Sequence, residues 1–413
     1  MNGRDVTRRA DRGGALVVLL AVVGTFPSGG DRLMIELIRR WPTTEGPVTV
    51  LTTPEGLRNL RESGVEAPTI VISGFGTSSR SVLWAYFIRS LIAPVVAWSV
   101  LRRTRPRTVV ASTPFPPDVA ASLASRVLGY DWVLSWQLAI PSLGMGYEMS
   151  GDALALRRLR TPGKLADTLR HGLSYVSQNA TLVMARWLCK QLIVPSHLMA
   201  LEAYSRGFER RRVHIANVGV DGGEISRALA VELIDGKVRF EGIFVGRFHA
   251  QKGLMDLVAA WSHVLKMIPD ARLAILGDGT SGAATEFKRH LKAFGGSSIE
   301  YLGAITGGRK YALMSSSKVL LFPSHHESWG LVALEAMAVG LPVVGYDLPS
   351  SREAFGDAML RVPTFDVKAF ADAVVRLLTD DKLRALYRTR GRDLANQHDW
   401  SEIARRFAEV VVG

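Results

Sequence analysis

Two glutamates in the stretch PSHHESWGLVALEAMAVGLPVVGY, which begins at Pro323, have the type and spacing suited to binding a polar ligand. Glu327 precedes a turn that contains glycine, whereas Glu335 lies within an apolar helical pattern. A carboxylate among apolar side chains is costly unless something pairs with it. We therefore expect Glu335 either to bind a ligand or to form a salt bridge to a neighbouring helix. Glu327 is expected either to contact the same ligand or to interact with the dipole at the helix start.

The helix predicted after Glu327 runs from Gly330 to Val339. Its first N–H groups have no partner within the helix, and such groups bind phosphate together with the helix dipole. Glu335 lies about 9 Å further along the helix than Trp329. A ribose attached to a diphosphate at the helix start would reach that depth, where Glu335 would accept hydrogen bonds from two neighbouring hydroxyls. Glu327 would then meet the group beyond the diphosphate.

Two cations follow another predicted strand, in the segment IFVGRFHAQKG from Ile243 to Gly253. Gly246 permits close approach of the backbone, and Arg247 and Lys252 could both reach an anion beyond the strand end. Arginine offers a fork for phosphate oxygens, and lysine offers a movable point charge. The alternative is that both cations face solvent on a loop. The spacing is neither that of a Walker loop nor that of G-x-G-x-x-G.

Glycines at the ends of two further strands are candidates for the wall of the same site. LGDG places Gly277 at one strand end, and IEYLGAI places Gly303 at the next. On its own, Gly-Asp-Gly is simply a turn. Gly303 is expected to leave backbone groups free to meet the edge of a base.

The adjacent residues His325 and His326 raise the question of a metal site. Neighbouring side chains on an extended segment point in opposite directions, so the two imidazoles cannot readily share one ion. The sequence also contains no H-E-x-x-H segment and no Asp-x-Asp at a strand end. We therefore expect no metal and no other cofactor, with Arg247 and Lys252 taking the place of a cation at the diphosphate.

Short apolar runs alternate with helical patterns, which predicts an α/β fold with parallel sheets covered by helices. A chain of 413 residues suits two cores. We predict two Rossmann-like, doubly wound domains, at 1–216 and 217–395, followed by a helix at 396–413. Ligands of such sheets bind outside the carboxyl ends of the strands, which is where the motifs fall. Strands are predicted at Ala15–Val23, Val48–Thr52, Thr69–Ile72, Thr108–Ser112, Asp131–Ser135, Gln191–Pro195, Arg239–Val245, Arg272–Leu276, Ser298–Leu302, Val319–Pro323 and Pro342–Tyr346. Helices are predicted at Arg32–Trp41, Asp118–Leu128, Gly253–Met267, Thr285–Ala293, Lys310–Ser316, Gly330–Val339, Val367–Thr379 and Trp400–Val412.

Charge is unevenly distributed along the chain. Residues 1–220 carry 27 Lys and Arg against 15 Asp and Glu, a balance of +12, whereas the remainder has a balance of +1. Arginine clusters lie at 101–107, 157–160 and 209–212. A basic face of this kind attracts anionic lipid, nucleic acid or phosphorylated substrates.

The segment Val82–Leu101 has the length of a transmembrane helix but contains Arg89 and Pro94. We expect a buried or membrane-surface helix there. The only cysteine, Cys189, fits a reducing compartment. The chain is predicted to be cytoplasmic, with peripheral contact between its basic first domain and an anionic membrane.

These segments together resemble the retaining glycosyltransferases of family 4, which have the GT-B fold. The resemblance covers most of Gln191–Thr379 and is loose in the first half of the chain. It is carried by FVGRFHAQKG, LGDG, FPSHHESWGLVALEAMAVGLPVVGYD, VPSHLMALEAYSRG and VHIANVGVD. It implies two Rossmann-like domains facing a central cleft, a nucleotide-diphosphate sugar as donor substrate, and no required metal. It also implies that the last helix crosses back to the first domain.

The resemblance assigns roles to the donor-site residues by position. Arg247 and Lys252 would hold the diphosphate. Glu335 would bind the ribose, and Glu327 would touch the donor sugar. The backbone amides expected near the phosphates are those of Trp329, Gly330 and Leu331.

The resemblance assigns fewer residues in the first domain. Gly29 and Gly30 match the family's glycine pair after the first strand, close to the phosphate and the acceptor. Many members have a histidine after a strand like Asp131–Ser135, whereas this chain has SWQLAIP. Gln137 could donate a hydrogen bond to a sugar hydroxyl but cannot act as a base. The chain also has Glu-Ser-Trp-Gly where the family usually has Glu-Gly-Phe-Gly, which is expected to alter the donor pocket.

The sequence therefore predicts a retaining, metal-independent hexosyltransferase that uses a UDP- or GDP-sugar. Arg247, Lys252 and the helix start would stabilise the leaving diphosphate, and a glycan or lipid-linked acceptor would attack from the same face. A sugar-nucleotide epimerase of the same fold would need acid and base residues around the sugar. A basic nucleic-acid or membrane-binding protein without catalysis is the other alternative. The arginine clusters lack interleaved aromatic residues, so no nucleic-acid partner is expected.

Overall fold

A computed structural model describes residues 13–21, 29–72, 82–140, 162–232, 239–279, 282–293 and 298–413. Contacts within the chain define two compact units. The first contains Met1–Ser142, Arg170–Val218 and Trp400–Gly413, and the second consists mainly of Gly219–Asp399. Each unit has a parallel sheet covered by helices. The predicted α/β class with two doubly wound domains is confirmed.

The sheet of the first unit has seven strands in the order β3-β2-β1-β4-β5-β6-β7. This order is that of a Rossmann sheet extended by one strand. The strands are β1 (Ala15–Leu19), β2 (Val48–Thr52), β3 (Thr69–Val71), β4 (Thr108–Ala111), β5 (Asp131–Ser135), β6 (Gln191–Val194) and β7 (Val213–Ile215). Strand β1 ends before Val23, the end expected from its apolar run. Strand β7 was not predicted, because three residues at a sheet edge are too few to show a pattern.

Helices cover both faces of this sheet. They are α1 (Gly29–Arg39), α2 (Pro54–Glu62), α3 (Val82–Thr104), α4 (Pro116–Val127), α5 (Pro162–Leu188), α6 (His197–Ser205) and the chain's last helix, α15 (Trp400–Val412). Helix α1 begins three residues before the predicted Arg32, so Gly29 and Gly30 form its first turn and do not precede it. Helix α15 packs against α1 through a buried face that includes Trp400, Phe407 and Val411.

The second unit has a six-stranded sheet in the Rossmann order β10-β9-β8-β11-β12-β13. Its strands are β8 (Phe240–Val245), β9 (Leu273–Leu276), β10 (Ile299–Gly303), β11 (Ser317–Phe322), β12 (Val343–Tyr346) and β13 (Leu360–Val362). Its helices are α7 (Gly222–Glu232), α8 (Leu254–Met267), α9 (Gly282–Ala293), α10 (Gly307–Ser315), α11 (Leu331–Ala338), α12 (Pro349–Phe355), α13 (Val367–Thr379) and α14 (Asp381–Ala395). A hydrophobic core of the unit packs α8, α9 and α13 against one face of the sheet.

Among the described helices, none is long and apolar enough to cross a membrane. The segment Val82–Leu101 lies in α3, whose Ala93, Ala97 and Leu101 are buried against the first sheet. The expected helix is therefore present with one side packed on the sheet, and its contact with a membrane surface stays a prediction. The arginine cluster at 157–160 lies outside the described residues.

Side chains, and not neighbouring strands, hold the chain where it leaves β1. The N–H groups of Leu20 and Ala21 donate to Oδ1 of Asp118, at 2.6 and 2.9 Å. Arg89 Nη1 donates to the carbonyl of Leu20 at 3.3 Å, and the Tyr86 hydroxyl donates to that of Ala21 at 2.6 Å. All four polar backbone groups at this strand end are thus satisfied by residues of α3 and α4.

Asp118 is the fully buried centre of this arrangement. Its second oxygen, Oδ2, accepts hydrogen bonds from the hydroxyls of Ser112 and Thr113, both at 2.7 Å. Four hydrogen bonds favour the ionised carboxylate, but burial outweighs them and raises the pKa of Asp118 to about 6.

We expect this raised pKa to appear in the pH dependence of stability. The ordinary pKa of the group is 3.8, so between this value and about 6 the folded chain retains a proton that the unfolded chain has released. The stabilisation from Asp118 is then fully present below pH of about 4 and lost as the pH rises through 6, by up to about 3 kcal/mol. Urea denaturation of the wild type and Asp118→Asn at pH 4 and pH 7 measures this difference. The exposed Asp270→Asn provides a control, and a wild-type-to-Asp118→Asn difference equal at both pH values would contradict the expectation.

Candidate active site

Three predicted glycines meet at the carboxyl edge of the second sheet. Gly246 follows β8, Gly277 follows β9 and Gly303 ends β10. Because these neighbouring strands are parallel, their carboxyl ends lie at one edge. The Gly246 N–H donates to the carbonyl of Leu276 at 3.0 Å, and the Gly277 N–H donates to that of Gly303 at 2.8 Å. The carbonyl of Gly303 is therefore engaged, whereas the sequence suggested that it was free.

Gly277 is required by a close backbone approach. Its φ is +145°, and an added Cβ would lie 1.9 Å from the carbonyl oxygen of Gly246. Gly303 also has a positive φ, of +76°, but a Cβ there would meet nothing within 4 Å. The two turns thus depend on glycine for different reasons: steric contact at Gly277 and backbone conformation alone at Gly303.

Lys252 and Glu327 form an ion pair at this edge, with Nζ 2.5 Å from Oε1. Lys252 ends a short 3-10 turn after β8, and Glu327 lies in the loop between β11 and α11. Their side chains are 19% and 11% exposed, so the pair is largely shielded but still reachable. The structure therefore brings together two residues that are 75 positions apart and that the sequence assigned to one ligand.

Backbone contacts fix these two loops against each other. Gly253 adopts φ of +63° as the cap of α8, and a Cβ there would lie 1.8 Å from the carbonyl oxygen of Pro323. The His325 N–H donates to the carbonyl of Gln251 at 2.8 Å. The position of Lys252 relative to Glu327 is thus set by the main chain.

His325 has a structural role in this junction. Its Nε2 lies 2.9 Å from Oδ2 of Asp256, which also accepts from the Tyr346 hydroxyl at 2.6 Å. Burial, and then the bond to Asp256, raise the pKa of Tyr346, so that its hydroxyl remains a donor. No cluster of His, Cys, Asp or Glu that could hold a metal occurs among the described residues.

The start of α11 presents unpaired amides. Gly330, with φ of +107°, precedes the helix, and no side chain caps it. Within the described part of the chain, no group accepts from the N–H groups of Leu331 and Val332. The first turn also contains no acidic side chain. This helix start retains the donors and the dipole that favour an anion.

The indole of Trp329 points into the second unit. It is buried and makes edge-to-face contacts with Phe355 and His398, at 5.3 and 5.2 Å between ring centroids. Only the backbone of Trp329 is thus placed to take part in the helix start. The sequence suggested that this residue alters the donor pocket, but its side chain contributes to the core.

Glu335 has two protein partners. It is 5% exposed, its Oε2 lies 2.7 Å from Lys310 Nζ, and the Tyr311 hydroxyl lies 3.3 Å from its Oε1. Both partners belong to α10, so the alternative of a salt bridge to a neighbouring helix is present. Sequence analysis did not single out either partner, although a buried glutamate requires a cation and Lys310 lies in the apolar pattern KYALM. A carboxylate has about four acceptor positions, so the pair leaves room for ligand hydroxyls.

Arg247 is an exposed cation directly after β8. Among the described residues, no carboxylate pairs with its guanidinium. The adjacent Phe248 is buried and packs edge-to-face on Phe287, with 4.8 Å between centroids, which anchors the segment. The fork of Arg247 is therefore available to an anion.

The first unit contains further residues that the sequence assigned to the site, among them Gly29 and Gln137. Gly29 opens α1, and a Cβ there would meet nothing within 4 Å, so the described packing does not require its glycine. Gln137 follows β5 and donates through Nε2 to the hydroxyl of Ser135. Its amide oxygen has no donor among the described residues.

Comparison with known proteins extends these observations. The family model described as glycosyl transferases group 1 matches residues 239–380. The chain is similar to phosphatidyl-myo-inositol mannosyltransferase of Mycobacterium leprae, with 32% identity over 215 residues, 48% of this chain and 56% of that protein. It is also similar to glycogen synthase of Mycobacterium tuberculosis, with 32% identity over 178 residues, 41% of this chain and 42% of that protein. The chain thus spans about half the length of the curated relatives it matches.

Similarity of structure extends over nearly the whole chain. The structure of Anabaena Alr3699/HepE in complex with UDP and glucose aligns with a TM-score of 0.70 over 96% of this chain and 99% of that one, at 16% identity. At this identity the similarity establishes a shared fold.

We expect the buried pair of Lys310 and Glu335 to be sensitive to removal of one partner. Lys310→Met leaves a buried carboxylate unpaired, which should lower the free energy of unfolding at pH 7 by about 3–5 kcal/mol. Replacing both residues, as Lys310→Met with Glu335→Leu, should recover most of this loss. Urea denaturation measures both effects.

A matched control is the exposed pair of Lys368 and Asp372, which also joins Nζ to a carboxylate at 2.7 Å. Lys368→Met should change stability little, because exposed ion pairs contribute little. Equal losses in the free energy of unfolding for Lys310→Met and Lys368→Met would show that the stabilising effect of Lys310 does not depend on its burial.

Proposed function

Since residues 239–380 match the glycosyl transferases group 1 and the chain has the GT-B fold, we propose that it is a retaining, metal-independent hexosyltransferase. It transfers a sugar from a UDP- or GDP-sugar to a hydroxyl of a glycan or lipid-linked acceptor. The observation that supports this most is the shielded pair of Lys252 and Glu327 at the carboxyl edge of the second sheet. A cation held beside a carboxylate suits a ligand that carries both phosphate and hydroxyl groups.

The donor diphosphate is proposed to bind where positive groups are available. Arg247 offers an unpaired fork, and the amides of Leu331 and Val332 offer donors at an uncapped helix start. On donor binding, Lys252 would turn from Glu327 to the phosphates, leaving the glutamate to accept from a sugar hydroxyl. Fixed donors at the position where leaving-group charge develops stabilise the transition state without further reorganisation.

The nucleoside is proposed to extend along the second sheet. Glu335 is oriented by Lys310 and Tyr311 and can accept from the ribose hydroxyls. The turns at Gly246 and Gly277 bring backbone close enough to line the site beside the base. This proposal keeps the salt bridge of Glu335 and adds the ribose to it.

The reaction is proposed to proceed on one face of the sugar. As the bond from the anomeric carbon to the diphosphate oxygen breaks, the acceptor hydroxyl forms its bond to the same carbon from the same side. The hydroxyl proton passes to the departing phosphate oxygen, so the anomeric configuration is retained. In this scheme Glu327 accepts a hydrogen bond from a sugar hydroxyl, so it is proposed to bind the donor and not to act as a nucleophile.

The acceptor is proposed to be a glycan or a lipid-linked glycan that binds the first unit near Gly29, Gly30 and Gln137. The similarity to a protein named for phosphatidyl-myo-inositol supports a lipid-linked acceptor. A cytoplasmic chain with peripheral contact to an anionic membrane would meet such an acceptor at the lipid surface.

We expect a panel of UDP-, GDP- and ADP-sugars to identify one donor whose nucleoside diphosphate is released by the wild type. Lys252→Met should lower kcat/KM for that donor by about 100-fold, the loss typical when one charge-stabilising donor is removed. Lys318→Met provides the control, because Lys318 belongs to β11 but pairs with Glu241 away from the carboxyl edge. No release from any donor, with calorimetric donor binding unchanged by Lys252→Met and Glu335→Ala, would overturn the proposal.

We also expect excess EDTA to leave donor turnover within about twofold, because Arg247, Lys252 and the helix start supply the positive charge at the diphosphate. NMR of the product should show the same anomeric configuration as the donor. An inverted product, or activity that requires added Mg²⁺ or Mn²⁺, would contradict the mechanism.

A further inference from the structure

The arginine clusters of the first unit converge on one edge of its sheet. Strands β4 to β7 pair in parallel, so their amino ends lie side by side. A basic residue or cluster lies within the six residues before each of these strands. The members are Arg102, Arg103, Arg105 and Arg107 before β4, Arg126 before β5, Arg186 and Lys190 before β6, and Arg210, Arg211 and Arg212 before β7. We call this the basic edge.

Few carboxylates neutralise the basic edge. Lys190 pairs with Asp131 at 3.0 Å, and Glu209 pairs with Arg211 at 2.7 Å and with Arg212 at 4.0 Å. The exposed Arg103, by contrast, has no carboxylate partner among the described residues, and the same holds for its neighbours in the cluster. Among the described residues, this edge therefore carries more cations than carboxylates.

The helices that lead into these strands share one face of the sheet. Right-handed crossovers place α3, α4 and α5 side by side. Ala97 of α3 and Ala124 of α4 pack in one core, and Leu182 of α5 packs in the adjoining one. The outer sides of α3 and α5 carry exposed side chains, whereas α4 between them exposes only Arg126 and Val127.

Apolar side chains line these outer sides in helical register. On α3, Leu91 and Val95 are 61% and 71% exposed. On α5, Val176, Val183 and Trp187 are 63%, 65% and 71% exposed. Single exposed apolar residues are ordinary, but here they follow the i, i+4 and i, i+7 spacings on two helices of one layer. We call these two rows the apolar stripes.

Arginines stack on tryptophans where the apolar stripes approach the basic edge. Arg102 lies over Trp98, with 5.1 Å from its guanidinium carbon to the ring centroid, and Arg186 lies over Trp187 at 4.5 Å. An amphipathic ring beside a cation is typical of residues at the boundary between an apolar and a charged medium. The two stripes therefore pass from apolar to cationic in the same direction.

We propose that the apolar stripes and the basic edge together dock the first unit on an anionic lipid surface. The charge of the edge complements anionic headgroups, and rows on separate helices of one layer suit a flat surface better than a single partner helix. None of the described helices can span a bilayer, so the contact is peripheral. This inference rests on the proposed function, since it names the surface at which a lipid-linked acceptor is met.

The test is cosedimentation of the full chain with vesicles of phosphatidylcholine alone and with 30% phosphatidylglycerol, at low and high salt. The wild type should bind the anionic vesicles selectively and be released by salt. Arg103→Gln, Arg107→Gln and Arg211→Gln together should lower the partition coefficient about 100-fold, at about fivefold for each cation near the surface. Leu91→Gln, Val183→Gln and Trp187→Gln together should lower it at least about tenfold.

Matched controls lie on the second unit. Arg289→Gln, Lys292→Gln and Lys382→Gln remove the same charge from exposed positions, and Met267→Gln removes an apolar side chain that is 69% exposed. These variants should bind vesicles like the wild type. Circular dichroism of every variant checks that the fold is kept.

Equal binding to neutral and anionic vesicles, or stripe variants that bind like the wild type, would overturn the docking surface. So would a dimer, seen by analytical ultracentrifugation, that the stripe variants dissociate without any vesicle binding. Calorimetric donor binding is measured in parallel and should be unchanged by all these substitutions. A chain that binds a donor but no vesicles refutes only the docking surface, whereas one that binds vesicles but no donor refutes the proposed function.

Discussion

Parallel pairing of neighbouring strands decides where chemistry is placed in both described sheets. It gathers the carboxyl ends of β8, β9, β10 and β11 at one edge, so that loops distant in sequence meet there. The contact between Lys252 and Glu327 depends on this, as does the close approach of Gly277 to Gly246. The same rule gathers the amino ends of β4 to β7, where the arginines lie. Ligand chemistry and surface charge thus follow from one hydrogen-bonding pattern.

Buried and partly buried polar groups then fix side-chain positions that strand pairing alone does not determine. Lys310 orients Glu335 on the neighbouring helix, and Asp256 joins His325 to Tyr346 between two strand ends. Such groups cost free energy when left unpaired. Conformations that break these pairs are therefore disfavoured, and each side chain stays beside its partner. The candidate site therefore has paired side chains beneath its surface. At the surface, the guanidinium of Arg247 and the first amides of α11 have no partner among the described residues.

The strands and the motifs at their ends can be predicted from the sequence, because alternating apolar runs and strand-end glycines are local signals. Most predicted strands agree with the structure within one or two residues, and the sequence assigns Glu327 and Lys252, which are in contact, to one ligand. The partners of Glu335 were not found, since Lys310 is recognisable only when two helices are seen side by side. The inward direction of Trp329 was also inaccessible, because it depends on Phe355 and His398, both remote in sequence. Local patterns are enough to predict the helices and strands, whereas the partners of a side chain can be identified only from the tertiary fold.

The discontinuity of the first unit has a consequence for the order of folding. Helix α15 belongs to this unit, yet Gly219–Asp399 precedes it in the chain. During synthesis, α1 and the sheet beneath it therefore present their apolar surface to solvent until the whole second unit has been made. Contacts between segments so far apart form slowly, because loop closure must come first. The nascent first unit consequently passes through a stage in which its own unfinished core is the surface most exposed to aggregation or to a chaperone.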